Sequence, residues 1–338
     1  MVTMIRILQR DNNGCHDGIS VEALPGLLQL KPTLLWIDIF DDAKKSDSPE
    51  TRQKLEHLLS TVFHFHHLAV EDVISESNVP KVDAWDNYIY VVTHAVQFDK
   101  QLSDVDTSEL DAFVGLNYLI TYHDEPIAAL ERVWASCLRD DRHSRRGPDY
   151  LFYELCDGVA ADYLPCMDAI DEAVDGLESQ VFGSPSAHTV SNIFKLKSAV
   201  LNLRRVLSPQ REVMNKLARD DYSVIDAKDR IYFRDVYDHF VRLVDLNESL
   251  RDLVSGTLET YLSVTANKTN DIMKSLTIIT LLFMPLSFLT GFFGMNFFAN
   301  SMVIDTVINP YVMFGLAIFM MVAIPASIYG ILRKNHWM

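Results

Sequence analysis

Two long segments near the C-terminal end, 276–293 and 311–332, contain no charged residue. A helix of about 20 apolar residues crosses the roughly 30 Å hydrocarbon core of a bilayer, and both segments are close to that length or longer. As core helices of a soluble protein they would need apolar cover on every side, which the rest of the 338-residue chain is too small to supply. We therefore predict two membrane-spanning helices, with 294–310 as the connecting loop and 333–338 as a basic tail.

The charged residues that flank these segments predict how they cross the membrane. Lys268 and Lys274 precede the first segment, Arg333 and Lys334 follow the second, and the loop between them has no Lys or Arg. Cytoplasmic flanks of membrane helices carry an excess of Lys and Arg. We expect a multi-pass protein of the cell's inner membrane with both termini in the cytoplasm. No cleaved signal peptide is expected, because the first residues form no apolar run.

The charge balance and the motifs of the chain disfavour several classes of function. The net charge is −16, which argues against a nucleic-acid partner because phosphate binding needs clustered Lys and Arg. The sequence has no phosphate-binding loop, nucleophile elbow or metallohydrolase motif, so no enzymatic activity is predicted. The four cysteines stand far apart, which is typical of reduced thiols in a cytosolic domain.

Residues 1–130 show mixed patterns that predict an α+β cytoplasmic domain. Segments 50–59 and 66–75 have the spacing of helices. Runs of β-branched and aromatic residues predict strands, the last two of them as a hairpin. These predicted strands span 33–40, 88–96, 112–115 and 118–122.

Residues 131–225 are predicted to form an acidic helical region. Four acids recur at helical spacing and share one face of a helix: Asp168, Asp171, Asp175 and Glu178. A face of this kind is either simply solvated or a surface that attracts cations, and the pattern leaves both interpretations open.

Residues 226–275 are predicted to form a long stalk helix that continues into the first membrane span. No proline occurs between Pro209 and Pro285, so a helix that starts near Ala227 can run to Phe293. At 1.5 Å per residue it would be on the order of 100 Å long. One small domain cannot cover such a helix, which predicts association with further copies of the chain.

One face of the first span is unusual for a surface in contact with lipid. Polar, small and thioether side chains recur there at alternating steps of three and four, a spacing that keeps one seam turned toward a symmetry axis. The seam consists of Asn270, Met273, Thr277, Thr280, Met284, Ser287 and Gly291. It is either a tight contact between helices or the lining of a water-filled pore. The bulk of Asn270 and of the two methionines favours the pore.

Several short motifs, in this order along the chain, resemble the CorA family of divalent-cation channels. The most specific of them is the Gly-Met-Asn triplet at the outer end of the first of two terminal spans. The motifs are Trp36-Ile37-Asp38, Leu68-Ala69-Val70-Glu71-Asp72, Pro80-Lys81-Val82, Phe113-Val114-Gly115, Phe283-Met284-Pro285-Leu286 and Gly294-Met295-Asn296-Phe297.

The resemblance implies a funnel-shaped homopentamer whose first span lines the pore. By resemblance, Gly294, Met295 and Asn296 form an outer ring that receives the hydrated ion. Asn270 would lie at the cytoplasmic end of the pore. The resemblance further implies hydrophobic constrictions at Met273 and Met284 and a polar ring at Ser287.

The resemblance also implies what is transported and how transport is regulated. Mg²⁺, and also Co²⁺ or Ni²⁺, would enter the cell driven by the membrane potential. By resemblance, Asp72 and Asp235 of neighbouring subunits would bind an inhibitory intracellular Mg²⁺. One departure concerns the loop after Asn296, which carries Asp305 as its one acid where the family often has an acidic stretch.

Two alternatives remain open from the sequence. A proton-linked Zn²⁺ transporter resembling ZntB would share the two spans and the Gly-x-Asn pattern, although Met295 favours the Mg²⁺ branch. A non-conducting assembly or sensor protein could keep the same fold, but the polar seam and the intact triplet argue against it.

Overall fold

The protein, described here from a computed structural model, consists of two compact units. The first unit is Met1–Thr260 and the second is Tyr261–Met338. The structure describes residues 4–11, 14–30, 34–41, 53, 55–75, 79–99, 104–140, 145–183, 185–294 and 310–335.

The first unit contains a seven-stranded mixed sheet with the order β2-β1-β3-β7-β6-β5-β4. β3 and β7 pair in parallel, and the other neighbouring strands pair antiparallel. The predicted hairpin is confirmed as β6 and β7. The strands are β1 (Met4–Asp11), β2 (Gly14–His16), β3 (Leu34–Phe40), β4 (Lys81–Trp85), β5 (Tyr88–Asp99), β6 (Asp104–Gly115) and β7 (Tyr118–His123).

Helices cover the sheet and then dominate the rest of the chain. The predicted helix over 50–59 lies partly outside the described residues, and its described end runs into a π-helical turn, Leu58–Val62. The predicted helix over 66–75 is confirmed as α2. The helices are α1 (Leu24–Leu30), α2 (His67–Ser75), α3 (Ala128–Arg139), α4 (Pro148–Gly183), α5 (Ala187–Arg219), α6 (Arg230–Phe293) and α7 (Pro310–Lys334).

Aromatic contacts hold the loop before α2, and helix α3, against the sheet. Phe65 stacks on Phe113 of β6 with ring centroids 4.0 Å apart. Trp36 of β3 meets Trp134 of α3 at 4.7 Å. The cysteines are free thiols, three of them buried in α3 and α4, and burial raises the pKa of Cys137 to about 12.

Helix α6 has two parts that differ in how the chain covers them. Within the first unit one stripe of side chains is buried at steps of three and four, against α4 and α5, as where Phe240 contacts Tyr163. From Tyr261 to Gly294 no described side chain of α6 or the residue after it is buried. The long helix predicted from Ala227 begins at Arg230 and continues to Phe293. The buried stripe is Phe233, Val236, Phe240, Leu243, Asn247, Leu250, Val254 and Thr257.

A side chain at Gly115 would collide with the sheet's own packing. A Cβ built at this position lies 2.4 Å from two atoms of the Tyr118 ring, which itself packs against Phe65. We expect Gly115→Ala to destabilise the first unit by about 1–3 kcal/mol because the ring must move. Gly176→Ala is the matched control, since nothing lies near its Cβ, and alanine there should stabilise α4 by about 0.5–1 kcal/mol. Equal unfolding temperatures for the two variants would contradict this account.

Candidate functional site

The seven seam residues all lie on helix α6 and are all exposed in the single chain. Met273 is 56% exposed and Met284 is 69% exposed, which is unusual for side chains of this size. The second unit therefore does not cover this face with its own residues. The face is available to other copies of the chain, to water or to lipid.

The opposite face of α6 is less exposed. Ile278, Leu282, Pro285 and Leu289 are half-buried and recur at steps of three and four. Because an α-helix turns about 100° per residue, this stripe points roughly away from the seam. Helix α7 has a similar stripe of reduced exposure at Ala317, Met321, Ile324, Ile328 and Leu332. Each helix of the second unit thus has one apolar face that is less exposed than the others. The polar seam of α6 lies on the more exposed side.

The two threonine hydroxyl groups of the seam already donate their protons within the helix. Thr277 Oγ1 donates to the Met273 carbonyl at 2.8 Å, and Thr280 Oγ1 donates to the Leu276 carbonyl at 2.9 Å. Each hydroxyl has one donor and two acceptor lone pairs, so the oxygen keeps acceptor capacity. Water around a cation points its hydrogens outward. The two threonines can therefore accept hydrogen bonds from such a hydration shell.

Gly294 is the one residue of the Gly-Met-Asn triplet that the described part of the chain includes. Its N–H donates to the Thr290 carbonyl at 2.9 Å and closes the last turn of α6. A Cβ at this position would lie only 2.9 Å from the same carbonyl oxygen, so glycine suits this close turn. Met295 and Asn296 lie outside the described residues.

The two acids implied as a regulatory pair lie on different elements of the first unit. Asp72 is on α2, half-buried, and its carboxylate forms an ion pair with Lys81 of β4. Asp235 is on α6 and exposed, on the side of the helix away from the buried stripe. Within the described residues no group of three or more His, Cys, Asp and Glu side chains is arranged to hold a metal ion. One protomer thus supplies only part of a possible site.

The acidic stripe of α4 keeps both of its interpretations. Asp168, Asp171 and Asp175 are exposed, as a solvated face would be. Glu178 is half-buried and accepts a hydrogen bond from Thr257 of α6 at 3.2 Å. That contact helps to attach α6 to α4 and gives one of the four acids a structural role.

A buried charge network, which no pattern in the sequence predicted, surrounds Asp38. The Asp38 carboxylate is buried and accepts from Arg6 Nε at 2.8 Å and from Thr121 Oγ1 at 2.5 Å, and His123 Nε2 lies 3.3 Å away. Burial pushes the pKa of Asp38 upward, but His123, Thr121 and Arg6 outweigh burial and hold the pKa below its usual value. Glu131 binds the other end of the Arg6 guanidinium with both oxygens.

The same network lines a cavity of about 160 Å³. Its charged side chains already bond to one another, and Met4, Phe40 and Pro126 form the rest of its wall. The one signal in the sequence was the aspartate in Trp36-Ile37-Asp38, which the strand pattern alone could not identify as buried. The network stabilises the junction of β1, β3, β7 and α3 and is not a candidate for the ion pathway.

Among the helices that the structure describes, two are long and apolar enough to cross a membrane. They are the α6 stretch Arg230–Phe292 and the α7 stretch Phe314–Lys334. The most apolar window of the first is 0% buried and that of the second is 6% buried. Core helices of a soluble protein would be mostly buried, so the exposure of both windows favours contact with lipid or with other chains.

Comparison with known proteins gives consistent matches. The family profile described as "CorA-like Mg2+ transporter protein" matches residues 36–334. The cobalt/magnesium transport protein CorA of Thermotoga maritima is 36% identical over 241 residues, which cover 70% of this chain and 67% of that protein.

Two solved structures have a similar fold. The complete structure of the CorA magnesium transporter from Methanocaldococcus jannaschii superposes with a TM-score of 0.80 at 24% identity and covers 100% of both chains. The ZntB cytoplasmic domain from Vibrio parahaemolyticus has a TM-score of 0.60 at 12% identity and covers 80% of this chain and 100% of that one.

Proposed function

The chain belongs to the CorA-like family of Mg²⁺ transporters, and on that basis we propose that it conducts divalent cations, chiefly Mg²⁺, across the membrane. Co²⁺ is a second expected substrate, because the T. maritima relative is a cobalt/magnesium transport protein. The observation that carries the proposal is the polar seam of α6, which is exposed along its whole length while the opposite face is partly covered.

The seam would line a pore in a homopentamer. The first unit covers α6 only as far as Thr257, and the following part needs other cover, which copies of the chain and lipid would supply. In this arrangement Gly294, Met295 and Asn296 form the outer ring, and Asn270 lies at the cytoplasmic end. Met273 and Met284 would narrow the pore. Thr277 and Thr280 would line the pore between the two methionines. Ser287 and Gly291 would line it between Met284 and the outer ring.

The chemistry of the seam suits a hydrated Mg²⁺. This ion gives up its water reluctantly, so the pore should contact the hydration shell and leave it in place. The Thr277 and Thr280 oxygens keep acceptor capacity for the hydrogens of that shell. The seam carries no carboxylate, so binding is weak enough for the ion to leave. A divalent ion gains roughly 4.6 kcal/mol per 100 mV of inside-negative potential, and no enzymatic step is required.

The proposed topology follows from the flanking charges. Both termini would be cytoplasmic, with 1–130 and 131–225 as the α+β and helical parts and 226–275 as the stalk. The spans 276–293 and 311–332 would cross the inner membrane, with 294–310 outside and 333–338 inside.

A regulatory Mg²⁺ site at Asp72 and Asp235 is part of the proposal. Both carboxylates reach the surface of the protomer, and oxygen ligands with retained water suit Mg²⁺. The described residues of one protomer offer no cluster of three ligands, so the ion would need water and a neighbouring subunit. When bound, the ion would hold adjacent subunits together and favour a closed pore.

The experiment that tests the function is ion flux into proteoliposomes. Purified protein should pass Mg²⁺ and Co²⁺ under an inside-negative potential, without a proton gradient. Zn²⁺ flux that requires a proton gradient would instead support the ZntB-like alternative, to which the likeness is one of fold alone. The absence of any divalent flux would contradict transport and favour a non-conducting assembly.

The seam can be tested with isosteric substitutions. Thr280→Val removes a hydroxyl from the seam and should lower Mg²⁺ flux by up to about tenfold, because the hydration shell of each passing ion loses a hydrogen bond worth about 0.5–1.5 kcal/mol. Thr290→Val is the control. The Thr290 hydroxyl also donates to the helix backbone, but it points about 100° away from the centre of the seam. Equal losses in the two variants would mean that the seam does not line the pore.

A further inference from the structure

Lys81 is an internal cation bound to a carboxylate of the proposed regulatory site. It opens edge strand β4, and its ammonium group donates a hydrogen bond to Asp72 Oδ2. The two side chains are similarly accessible, at 30% and 31% exposure. The pair joins strand β4 to helix α2 within one protomer. A metal ion that approaches Asp72 from solvent therefore meets a carboxylate that already has a positive partner.

Several other groups keep the Lys81 ammonium in this position. Asp83 Oδ2, on the same strand, lies 3.6 Å from Nζ. The Tyr90 ring, on the neighbouring strand, lies below the ammonium with its centroid 5.6 Å away. Tyr90 in turn donates its hydroxyl proton to Asp111 at 2.5 Å. Lys81 thus stands among acids on one face of the sheet and offsets part of their mutual repulsion.

We propose that the Lys81 ammonium stays paired with the Asp72 carboxylate when intracellular Mg²⁺ is low. Mg²⁺ must then displace this ammonium from Asp72 before it can close the channel. This inference rests on the proposed function, since it concerns the regulation of the Asp72 site. The competition raises the Mg²⁺ concentration needed for inhibition. Lys81 is therefore a residue that sets the threshold of the sensor without binding the metal itself.

The expected size of the effect follows from the exposure of the pair. An ion pair that is partly open to water changes an equilibrium by a factor of up to about five. Removal of the ammonium also removes its repulsion of the dication, which acts in the same direction. We expect Lys81→Met to lower the internal Mg²⁺ concentration that gives half-maximal inhibition about three- to tenfold. Lys81→Arg keeps the charge and should stay within about twofold of the unchanged protein.

The experiment uses the full chain and two measurements. The first is flux in proteoliposomes as a function of internal Mg²⁺. The second is the unfolding temperature in detergent as Mg²⁺ is titrated, which reports binding without any transport. Lys195→Met on α5 removes an exposed lysine outside this cluster and controls for the change in net charge. Unfolding temperatures without Mg²⁺ verify that each variant is folded.

The outcomes separate this inference from the proposed function. If Asp72→Ala leaves the inhibition by internal Mg²⁺ unchanged, the regulatory site itself is wrong. The inference is supported if Asp72→Ala relieves inhibition and Lys81→Met lowers the half-maximal Mg²⁺ concentration in both measurements, flux and unfolding temperature, while Lys195→Met leaves both unchanged. The inference would be overturned if Asp72→Ala relieves inhibition but the half-maximal Mg²⁺ concentrations of Lys81→Met are unchanged or higher. An equal shift in Lys195→Met would also overturn it, because net charge would then explain the effect.

Discussion

Replacement of Asn296 by alanine is expected to reduce Mg²⁺ flux into proteoliposomes at least about 50-fold. The proposed outer ring repeats this amide in every subunit, so one substitution removes several hydrogen bonds to the hydrated ion at once. Each such bond is worth about 0.5–1.5 kcal/mol, and even the lower value exceeds a factor of 50 when five are lost together. The measurement is initial Mg²⁺ uptake at a fixed inside-negative potential, compared with the unchanged protein.

Asn300 provides a matched control for this substitution. It is an asparagine of the same predicted loop, four positions beyond the Gly-Met-Asn triplet. Asn300→Ala should keep uptake within about threefold, because it removes no member of the proposed ring. If Asn300→Ala abolished uptake as well, the loss would reflect the loop in general. Normal uptake by Asn296→Ala would exclude the triplet as the place where the ion enters.

The elements that the sequence predicted well are those that depend on local patterns. The two apolar helices, the strand predicted over 33–40 and the hairpin of 112–115 with 118–122 each follow from residues that are neighbours in the chain. The long helix was predicted because no proline interrupts it before Pro285. Local signals of this kind need no knowledge of what packs against them, which is why they sufficed.

The pairings that the sequence could not predict are long-range. Arg6 meets Asp38 across 32 positions and Glu131 across 125 positions, and both pairings depend on the register between elements. The Lys81–Asp72 pair spans only nine positions, but it too depends on how α2 lies beside β4. No periodicity in the sequence encodes these distances. The lack of proline predicted the length of α6, but it did not reveal that the first unit covers this helix only as far as Thr257, because that limit also depends on long-range packing.

Substitution of Asp38 by asparagine is the second large effect that we expect. The change keeps the shape of the side chain but removes the buried charge between Arg6 and His123. Removing one partner of a buried ion pair costs about 3–5 kcal/mol, and the lower end of this range applies here because Glu131 still pairs with the Arg6 guanidinium. The network holds the pKa of Asp38 below its usual value, so its stabilisation is complete at neutral pH and is lost as the pH falls through the acid range. The unfolding temperature of the first unit at neutral pH should therefore fall by roughly 6–12 °C.

Asp171 of α4 allows this effect to be separated from a general loss of negative charge. Asp171 is exposed, so Asp171→Asn should change stability by less than about 0.5 kcal/mol. Because Asp38 is not part of the proposed pore seam, Asp38→Asn should still conduct Mg²⁺ below its unfolding temperature. If Asp38→Asn kept the unfolding temperature of the unchanged protein yet lost Mg²⁺ flux, the structural role of this aspartate would be contradicted. Such a result would also mean that the Trp36-Ile37-Asp38 motif acts on transport directly, through a connection that the buried network does not explain.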